Sequence, residues 1–242
     1  MTNSSAAMTA LVEYQVRTEE ITPADWLRVW QERALDALEA EPETLGYAAA
    51  VSLEDESSLL FYEHYVNGTA SLKLHMDRPS HTTLTETMGA RRMTRRRVMS
   101  TGFFDLPGFG WRERGDNPLI QSDAVIVLSG LRFDDEAVRE EYLRKATDFA
   151  DYCFSEEPDT LIYTCGIAAR DADRGPDIKQ GDALFFMVCT DMTAVEKHQQ
   201  DPKHLALSQH FTHIENEAGR KLTTTFQKMY RTTGHGFLTK VV

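Results

Sequence analysis

Apolar and polar residues follow two similar series of predicted elements along the chain. Residues 11–16 and 124–131 are rich in Val, Ile and Leu, which predicts that each series opens with a strand. Apolar residues at helical spacing follow each strand and predict an amphipathic helix. Its apolar face carries Trp26, Leu27, Trp30, Ala34, Leu35 and Leu38 in the first series, and Val138, Tyr142, Leu143, Ala146, Phe149 and Ala150 in the second.

Each of these helices has start and stop signals. Thr22 can cap the first one and Pro23 suits its first turn, while Asp134 or Asp135 can start the second. A Glu-Pro pair then ends each helix, at residues 41–42 and 157–158, because the residue before a proline is pushed out of the helical region.

Two strands, a second helix and a final strand complete each series. Asn67 and Asp191 can cap the second helix, which Pro79 and Pro202 restart as another segment. The order β-α-β-β-α-β is that of a ferredoxin-like unit. The remaining strands are predicted at residues 45–53, 59–66 and 91–101, and at residues 161–169, 183–190 and 222–231.

Two motifs recur in the same order, so we interpret the two series as copies of one unit. The sequence EPETLGY at residues 41–47 returns as EPDTLIY at residues 157–163. A His-x-x-x-Pro-x-His motif begins at His75 and again at His198. We therefore predict an α+β protein with one unit at residues 8–101, a linker at 102–122 and a second unit at 123–242.

Each copy resembles the antibiotic biosynthesis monooxygenase (ABM) domain of the dimeric α+β barrel superfamily. In the first copy the resemblance rests on EPETLGY, on the strand FYEHY at residues 61–65, on Asn67-x-x-Ala70 and on the motif at His75. It implies two ferredoxin-like units packed sheet to sheet as an intramolecular dimeric barrel, because helices cover only one face of each sheet. It also implies a ligand site between the sheet and the helices.

Net charge, hydropathy and cysteine content limit the classes of partner, location and site that the sequence allows. The net charge of -12 argues against nucleic acid, and we interpret the arginines of residues 91–97 as a solvated strand. The chain has no secretory start and no apolar run near the about 18 residues of a membrane helix, so we expect a cytoplasmic protein without a membrane partner. Three cysteines without CxxC spacing disfavour a disulfide framework and a zinc site. The sequence leaves open whether two copies of the fused pair form a homodimer.

The resemblance implies oxygenation of an electron-rich aromatic of the anthrone or hydroquinone type, in polyketide secondary metabolism, without cofactor or metal. The deprotonated substrate itself passes electrons to O2. The protein supplies a base, hydrogen-bond donors for the oxyanion and a dry pocket.

We expect the first copy to hold the working pocket because it offers more polar and aromatic side chains. Strand alternation puts residues 61, 63 and 65 on one face and 62, 64 and 66 on the other, and either face could line the pocket. The candidate catalytic residues are His75, Tyr65, Asn67 and Glu63. The candidate substrate-binding residues are Trp26, Trp30, Tyr62, His64, Tyr14, His81 and His198.

Other interpretations stay open. The histidines could close a helix over the sheet, and the tryptophans could be core residues. Anthrone-oxidising family members pair a first-strand asparagine with a second-helix tryptophan, whereas this first strand has Glu13, Tyr14 and Gln15. A non-oxidative isomerase or cyclase, or a ligand-binding protein, is therefore the alternative. Haem is disfavoured, because Thr85 and Ser208 occupy the place of the family's haem-binding histidine.

Overall fold

The computed structural model describes residues 6–114, 121–218 and 222–240. It contains two units with the same order of elements. The first unit consists of β1 (Met8–Val16), α1 (Pro23–Ala40), β2 (Thr44–Ser52), β3 (Ser58–Tyr65), α2 (Gly68–Met76), α3 (Pro79–Ala90) and β4 (Thr94–Asp105). The second unit consists of β5 (Ser122–Phe133), α4 (Glu136–Glu156), β6 (Thr160–Ala168), β7 (Ala183–Cys189), α5 (Met192–Gln200), α6 (Pro202–Ala218) and β8 (Leu222–Phe237).

Most of the predicted helix caps are present. Thr22 accepts a hydrogen bond from the Asp25 amide, and Asp191 accepts one from the Ala194 amide. Asp135, the second of the two aspartates considered, caps α4. The predicted cap at Asn67 is wrong, since its side chain makes no capping bond; instead its backbone amide donates to the Ser71 hydroxyl.

The buried face of α1 differs from the prediction at two positions. Leu35 was expected in the core, but it is 44% exposed. Arg33 is buried instead, at 1% exposure. The helix turns this way because Arg33 has a buried anionic partner, Glu41, at the helix end.

The eight strands form one closed barrel in the order β1-β3-β2-β8-β5-β7-β6-β4. The predicted intramolecular α+β barrel is confirmed, and the two sheets are also joined at both edges by hydrogen bonds. Strand β2 pairs with β8 from Tyr47↔Phe237 to Ser52↔Tyr230. Strand β4 pairs with β6 more briefly, from Phe103↔Ala168 to Asp105↔Gly166. Closure removes the exposed strand edges that each unit would have alone.

Apolar side chains fill three layers: the barrel interior and one helix–sheet layer in each unit. The pleat of β3 decides which face lines which layer. Phe61 and Tyr65 face the helices of the first unit, whereas Tyr62 and His64 face the barrel interior. The Tyr62 ring stacks on Phe186 of the second unit, with 4.5 Å between ring centroids.

The predicted linker begins with structured residues. Strand β4 runs on to Asp105, and the sequence GFGWRER at residues 108–114 returns as GHGFLTK at residues 234–240. We call these two stretches the crossing segments, because each lies on the opposite unit. Residues 115–120 of the predicted linker lie outside the described part of the chain.

The third residue of each crossing segment is a glycine in the left-handed region. Gly110 and Gly236 have φ of 61° and 79°, and a Cβ there would lie 1.8 Å and 2.0 Å from the carbonyl oxygens of Tyr163 and Tyr47. Each segment ends in a cation that caps the first helix of the opposite unit. These contacts are Arg114 Nη2 to Phe154 O (2.9 Å) and Lys240 Nζ to Ala37 O (2.9 Å).

Within the described residues, none of the helices combines the length and apolarity needed to span a membrane.

Candidate active site

His75 lies between α1 and the sheet of the first unit and is 1% exposed. Its Nδ1 lies 2.8 Å from Oε2 of Glu41, the residue that ends α1. The Thr44 hydroxyl donates to the same oxygen over 2.6 Å. Burial opposes ionisation, but the contacts with His75, Thr44 and Arg33 prevail and lower the pKa of Glu41 to about 2. The carboxylate is therefore ionised at neutral pH.

The Arg33 guanidinium completes this cluster. Its Nη2 lies 2.5 Å from Glu41 Oε1 and 2.7 Å from His75 Nδ1. Nδ1 can hold one hydrogen, and donation to the carboxylate is the stronger of its two choices. That assignment leaves the lone pair on Nε2, which is buried and has no hydrogen-bond partner among the described residues.

Three rings surround the His75 imidazole. The centroids of Tyr47, Tyr65 and His81 lie 4.8, 5.4 and 5.6 Å from it. Tyr47 accepts a hydrogen bond from Trp30 Nε1, and Tyr65 donates to Glu63. Burial, reinforced by nearby carboxylates, raises the pKa of both tyrosines well above their ordinary value, so both remain neutral phenols. Burial and the nearby His75 and Arg33 lower the pKa of the half-buried His81.

Two of the predicted site residues, Tyr65 and His81, lie against His75. Glu63 and Trp30 join the cluster indirectly, through hydrogen bonds to Tyr65 and Tyr47. Trp26 lies further along α1, and its ring packs on Phe61 at 4.7 Å. Tyr14 is half-buried at the edge of the same layer, where it accepts a hydrogen bond from Arg97. Asn67 is exposed at the start of α2 and does not reach the cluster.

Tyr62 and His64 lie on the opposite side of β3, in a separate polar cluster inside the barrel. His64 Nε2 is 3.0 Å from Asp105 Oδ2, and Arg112 makes two hydrogen bonds to Asp105 and one to Tyr62. Burial and the Arg112 charge outweigh the Asp105 carboxylate and lower the pKa of His64 to about 4. Strand alternation is the reason that these two side chains cannot join His75.

His198 occupies the matching place in the second unit. Its Nδ1 lies 2.8 Å from Glu157 Oε2, which also accepts a hydrogen bond from Thr160. Among the described side chains, no guanidinium joins this pair; the Phe149 ring and the Cys153 thiol lie beside His198 instead. The carboxylate–histidine pair thus recurs, but its cation does not.

Sequence reasoning missed three members of the His75 cluster, namely Glu41, Arg33 and Tyr47. The signal for two of them was present, since Glu41 and Tyr47 return as Glu157 and Tyr163 in the repeated motif. By itself that motif indicates a helix end, a repeat and a family resemblance, but it assigns no role in a site to its glutamate and tyrosine. Arg33 had no such signal, and Arg112 lay in the predicted linker.

Two open grooves lie away from His75. One of about 570 Å³ is at the start of α1, where Leu27, Val51 and Arg231 line it. Another of about 470 Å³ lies between α4 and α6. Neither is lined by a residue of the His75 cluster.

Comparison with known proteins supports the resemblance seen in the motifs. Residues 7–86 match the family described as antibiotic biosynthesis monooxygenase. No curated protein matches the chain.

Several solved structures share the fold over nearly the whole chain. A candidate monooxygenase of Lactobacillus acidophilus is 13% identical, with a TM-score of 0.66 over 98% of this chain and 100% of that one. One of Fusobacterium nucleatum is 12% identical, with a TM-score of 0.70 over 98% and 95%. An anthrone oxidase-like protein is 11% identical, with a TM-score of 0.55 over 96% and 94%.

These identities establish the shared two-unit fold and nothing about chemistry. The family match runs from β1 into α3, where it ends at residue 86, and it includes Glu41 and His75. The predicted resemblance is thus confirmed for residues 7–86, which match the antibiotic biosynthesis monooxygenase family, and the second unit repeats the fold of the first within the same chain.

Proposed function

We propose that this protein is a monooxygenase that oxidises an electron-rich aromatic of the anthrone or hydroquinone type, in secondary metabolism, with the first unit as the working site. The observation that carries the proposal is the buried His75 imidazole. Its Nδ1 is held by Glu41, and its Nε2 is without a hydrogen-bond partner among the described residues. A base oriented by a carboxylate in a dry layer is what such a reaction needs.

The reaction requires no cofactor, because the substrate supplies the electrons. Nε2 removes a proton from the anthrone methylene or the phenol, and Glu41 stabilises the imidazolium that forms. The substrate anion passes one electron to O2, and the resulting radical pair joins as a peroxide. For an anthrone, loss of water then converts CH2 and O2 into C=O and H2O. For a phenol, the ring C–H and the O–H supply the two hydrogens of the water and the product is a quinone. In both cases the abstracted proton leaves in that water.

The neighbouring phenols suit the oxyanion of this substrate. Tyr47 accepts a hydrogen bond from Trp30, which leaves its own hydroxyl hydrogen available for a substrate oxygen. Tyr65 instead donates to Glu63 and is held in place by it. We propose that the substrate enters past His81, the half-exposed ring beside His75, and stacks on these tyrosines.

Oxygen consumption with a panel of anthrones and hydroquinones, in ¹⁸O2, tests the proposal. We expect one labelled oxygen in the product and one in water. His75→Ala should lower kcat/KM by at least about 100-fold, the usual contribution of a positioned base. His210→Ala is the matched control, because His210 lies part-exposed on α6, in the other unit, where it pairs with Glu141.

Other outcomes would replace the proposal. Conversion of a substrate without uptake of ¹⁸O would indicate a non-oxidative isomerase or cyclase on the same base. Tight binding without turnover across the panel would indicate a ligand-binding protein. Full activity in a folded His75→Ala protein would remove His75 from the mechanism.

A further inference from the structure

In the second unit, three side chains with metal-binding atoms converge beneath α4. Cys153 Sγ lies 3.9 Å from His198 Nδ1, and Glu157 Oε2 lies 2.8 Å from the same nitrogen. One ligand atom from each residue lies within 4.8 Å of the other two. Cys153 and His198 are buried, and Glu157 is partly exposed and offers a path from solvent.

The first unit has a cation at this place. Counting back from the paired residues Glu41 and Glu157, Arg33 corresponds to Phe149 and Ala37 to Cys153. In the first unit the Arg33 guanidinium contacts both the carboxylate and the imidazole. The second unit has lost this guanidinium and gained a thiol.

Two further cations, Arg114 and Lys240, lie near these carboxylates, but they do not replace the guanidinium that Glu157 lacks. Arg114 caps the first helix of the second unit and Lys240 caps that of the first unit, each by donating to backbone carbonyl oxygens, so each unit has one such cap. Within residues 6–114, 121–218 and 222–240, the Glu157 carboxylate therefore has no lysine or arginine side chain paired directly with it, whereas Glu41 has Arg33. Its Oε1 is buried and makes no hydrogen bond within the described structure. A buried carboxylate oxygen that makes no hydrogen bond is costly, because it has lost its contacts with water.

We propose that Cys153, Glu157 and His198 bind one zinc ion, which takes the electrostatic place of Arg33 in the second unit. Zinc accepts thiolate, imidazole and carboxylate ligands at about 2.0–2.3 Å. Tetrahedral coordination at these lengths places the ligand atoms about 3.3–3.7 Å from one another. The Glu157–His198 contact of 2.8 Å must therefore open by about half an ångström, and the Cys153 sulfur, now 3.9 Å from His198 Nδ1 and within 4.8 Å of Glu157, must move inward. Thiolate and imidazole favour zinc over calcium or magnesium. A water molecule fills the fourth position.

Charge and protons balance in this step. The ion brings two positive charges, and the thiolate and carboxylate together carry two negative charges. Burial, reinforced by Glu157, raises the pKa of the Cys153 thiol, so this group stays protonated until the ion displaces its proton to solvent. The hydrogen on His198 Nδ1 moves to Nε2 through exchange with water, and the imidazole stays neutral.

Titration of the chelator-treated full chain with Co²⁺, and then with Zn²⁺ in competition, tests the site. We expect one Co²⁺ per chain, with a thiolate-to-cobalt charge-transfer band and the strong visible bands of tetrahedral cobalt. One equivalent of Zn²⁺ should remove both signals. Binding should release one proton, which is measurable in weakly buffered solution with an indicator dye.

Cys153→Ala copies the residue of the first unit and should abolish the charge-transfer band, with at least about a 100-fold loss of zinc affinity. Cys165→Ala is the matched control, because Cys165 is equally buried in the same unit but lies outside the cluster. Phe149→Arg should also abolish binding, by supplying the guanidinium of the first unit. Absence of the band, or its persistence in Cys153→Ala, overturns the proposal.

Discussion

The two carboxylate–histidine pairs of this protein occupy the same place in the fold and have opposite surroundings. In the first unit Glu41 and His75 share the Arg33 guanidinium and lie among tyrosines. In the second unit Glu157 and His198 have a phenyl ring and a thiol beside them. The carboxylate, threonine and histidine join the end of the first helix to the second helix in both units, so this part of the cluster is common to the repeat. The groups that set the local charge are the ones that differ.

The two units also differ in the barrel interior, where the first contributes polar side chains and the second contributes apolar ones. The first unit and its crossing segment contribute Tyr62, His64 and Arg112 to that interior. Their counterparts in the second unit are Phe186, Val188 and Leu238, all apolar. A duplicated chain can therefore keep one copy as an apolar support while the other carries polar groups.

The largest expected effect comes from removing the Arg33 guanidinium of the first unit. Arg33→Ala leaves the buried Glu41 carboxylate without its guanidinium and should lower the free energy of unfolding by about 3–5 kcal/mol. Urea denaturation followed by fluorescence measures this change. Arg28→Ala, on the exposed side of the same helix, is the control and should leave the urea midpoint unchanged. Similar losses in both variants would contradict the role assigned to Arg33.

The second effect depends on pH. The pKa of His64 is about 4 in the fold and 6.5 in an unfolded chain, so below pH 6.5 the unfolded state binds more protons. The folded state should therefore lose up to about 3 kcal/mol through His64 as pH falls from 6.5 to 4. His64→Val, which copies Val188, should remove this part of the slope in urea midpoints measured across that range.

A control separates this effect from repacking of the barrel. Ile126→Val changes an apolar neighbour in the same interior and should keep the wild-type dependence on pH. The other titrating groups are common to all three proteins, so the difference isolates His64. Parallel slopes for wild type and His64→Val would show that His64 is not held neutral.

The smallest expected effect concerns the two helix-capping cations of the crossing segments and tests whether they stabilise the fold equally. Lys240→Met and Arg114→Met each remove a cation from the carbonyl end of a helix and should each lower the free energy of unfolding by about 1 kcal/mol. Because the two caps lie in different units, the double variant should show the sum. Thermal unfolding of the four proteins measures both points, and a large departure from additivity would mean that the caps are coupled.

Local signals predicted much of the fold. Thr22, Asp191 and the two Glu-Pro pairs define helix ends through contacts within a few residues, and the repeated motifs revealed the duplication. The repeat between the crossing segments was also visible in the sequence, because Gly-x-Gly precedes an aromatic residue in both. It was hidden by the glycine-rich composition that is typical of a linker.

The candidate sites were less predictable, because their members are distant along the chain. Glu41 and His75 are 34 residues apart, and Cys153 and His198 are 45 residues apart. Cysteine spacing finds a metal site only when the ligands are neighbours in sequence, so it could not indicate this cluster.

The sequence by itself determined the two copies, their order of elements and the residues that end each helix, since these depend on local backbone preferences and periodicity. Only the tertiary structure decided which face of β3 meets the helices, because that choice depends on closure of the barrel by β2 with β8 and β4 with β6. It also decided which buried charges meet. The charge of Arg33 predicts a solvated helix position, but in the folded protein Glu41 and His75 lie against it.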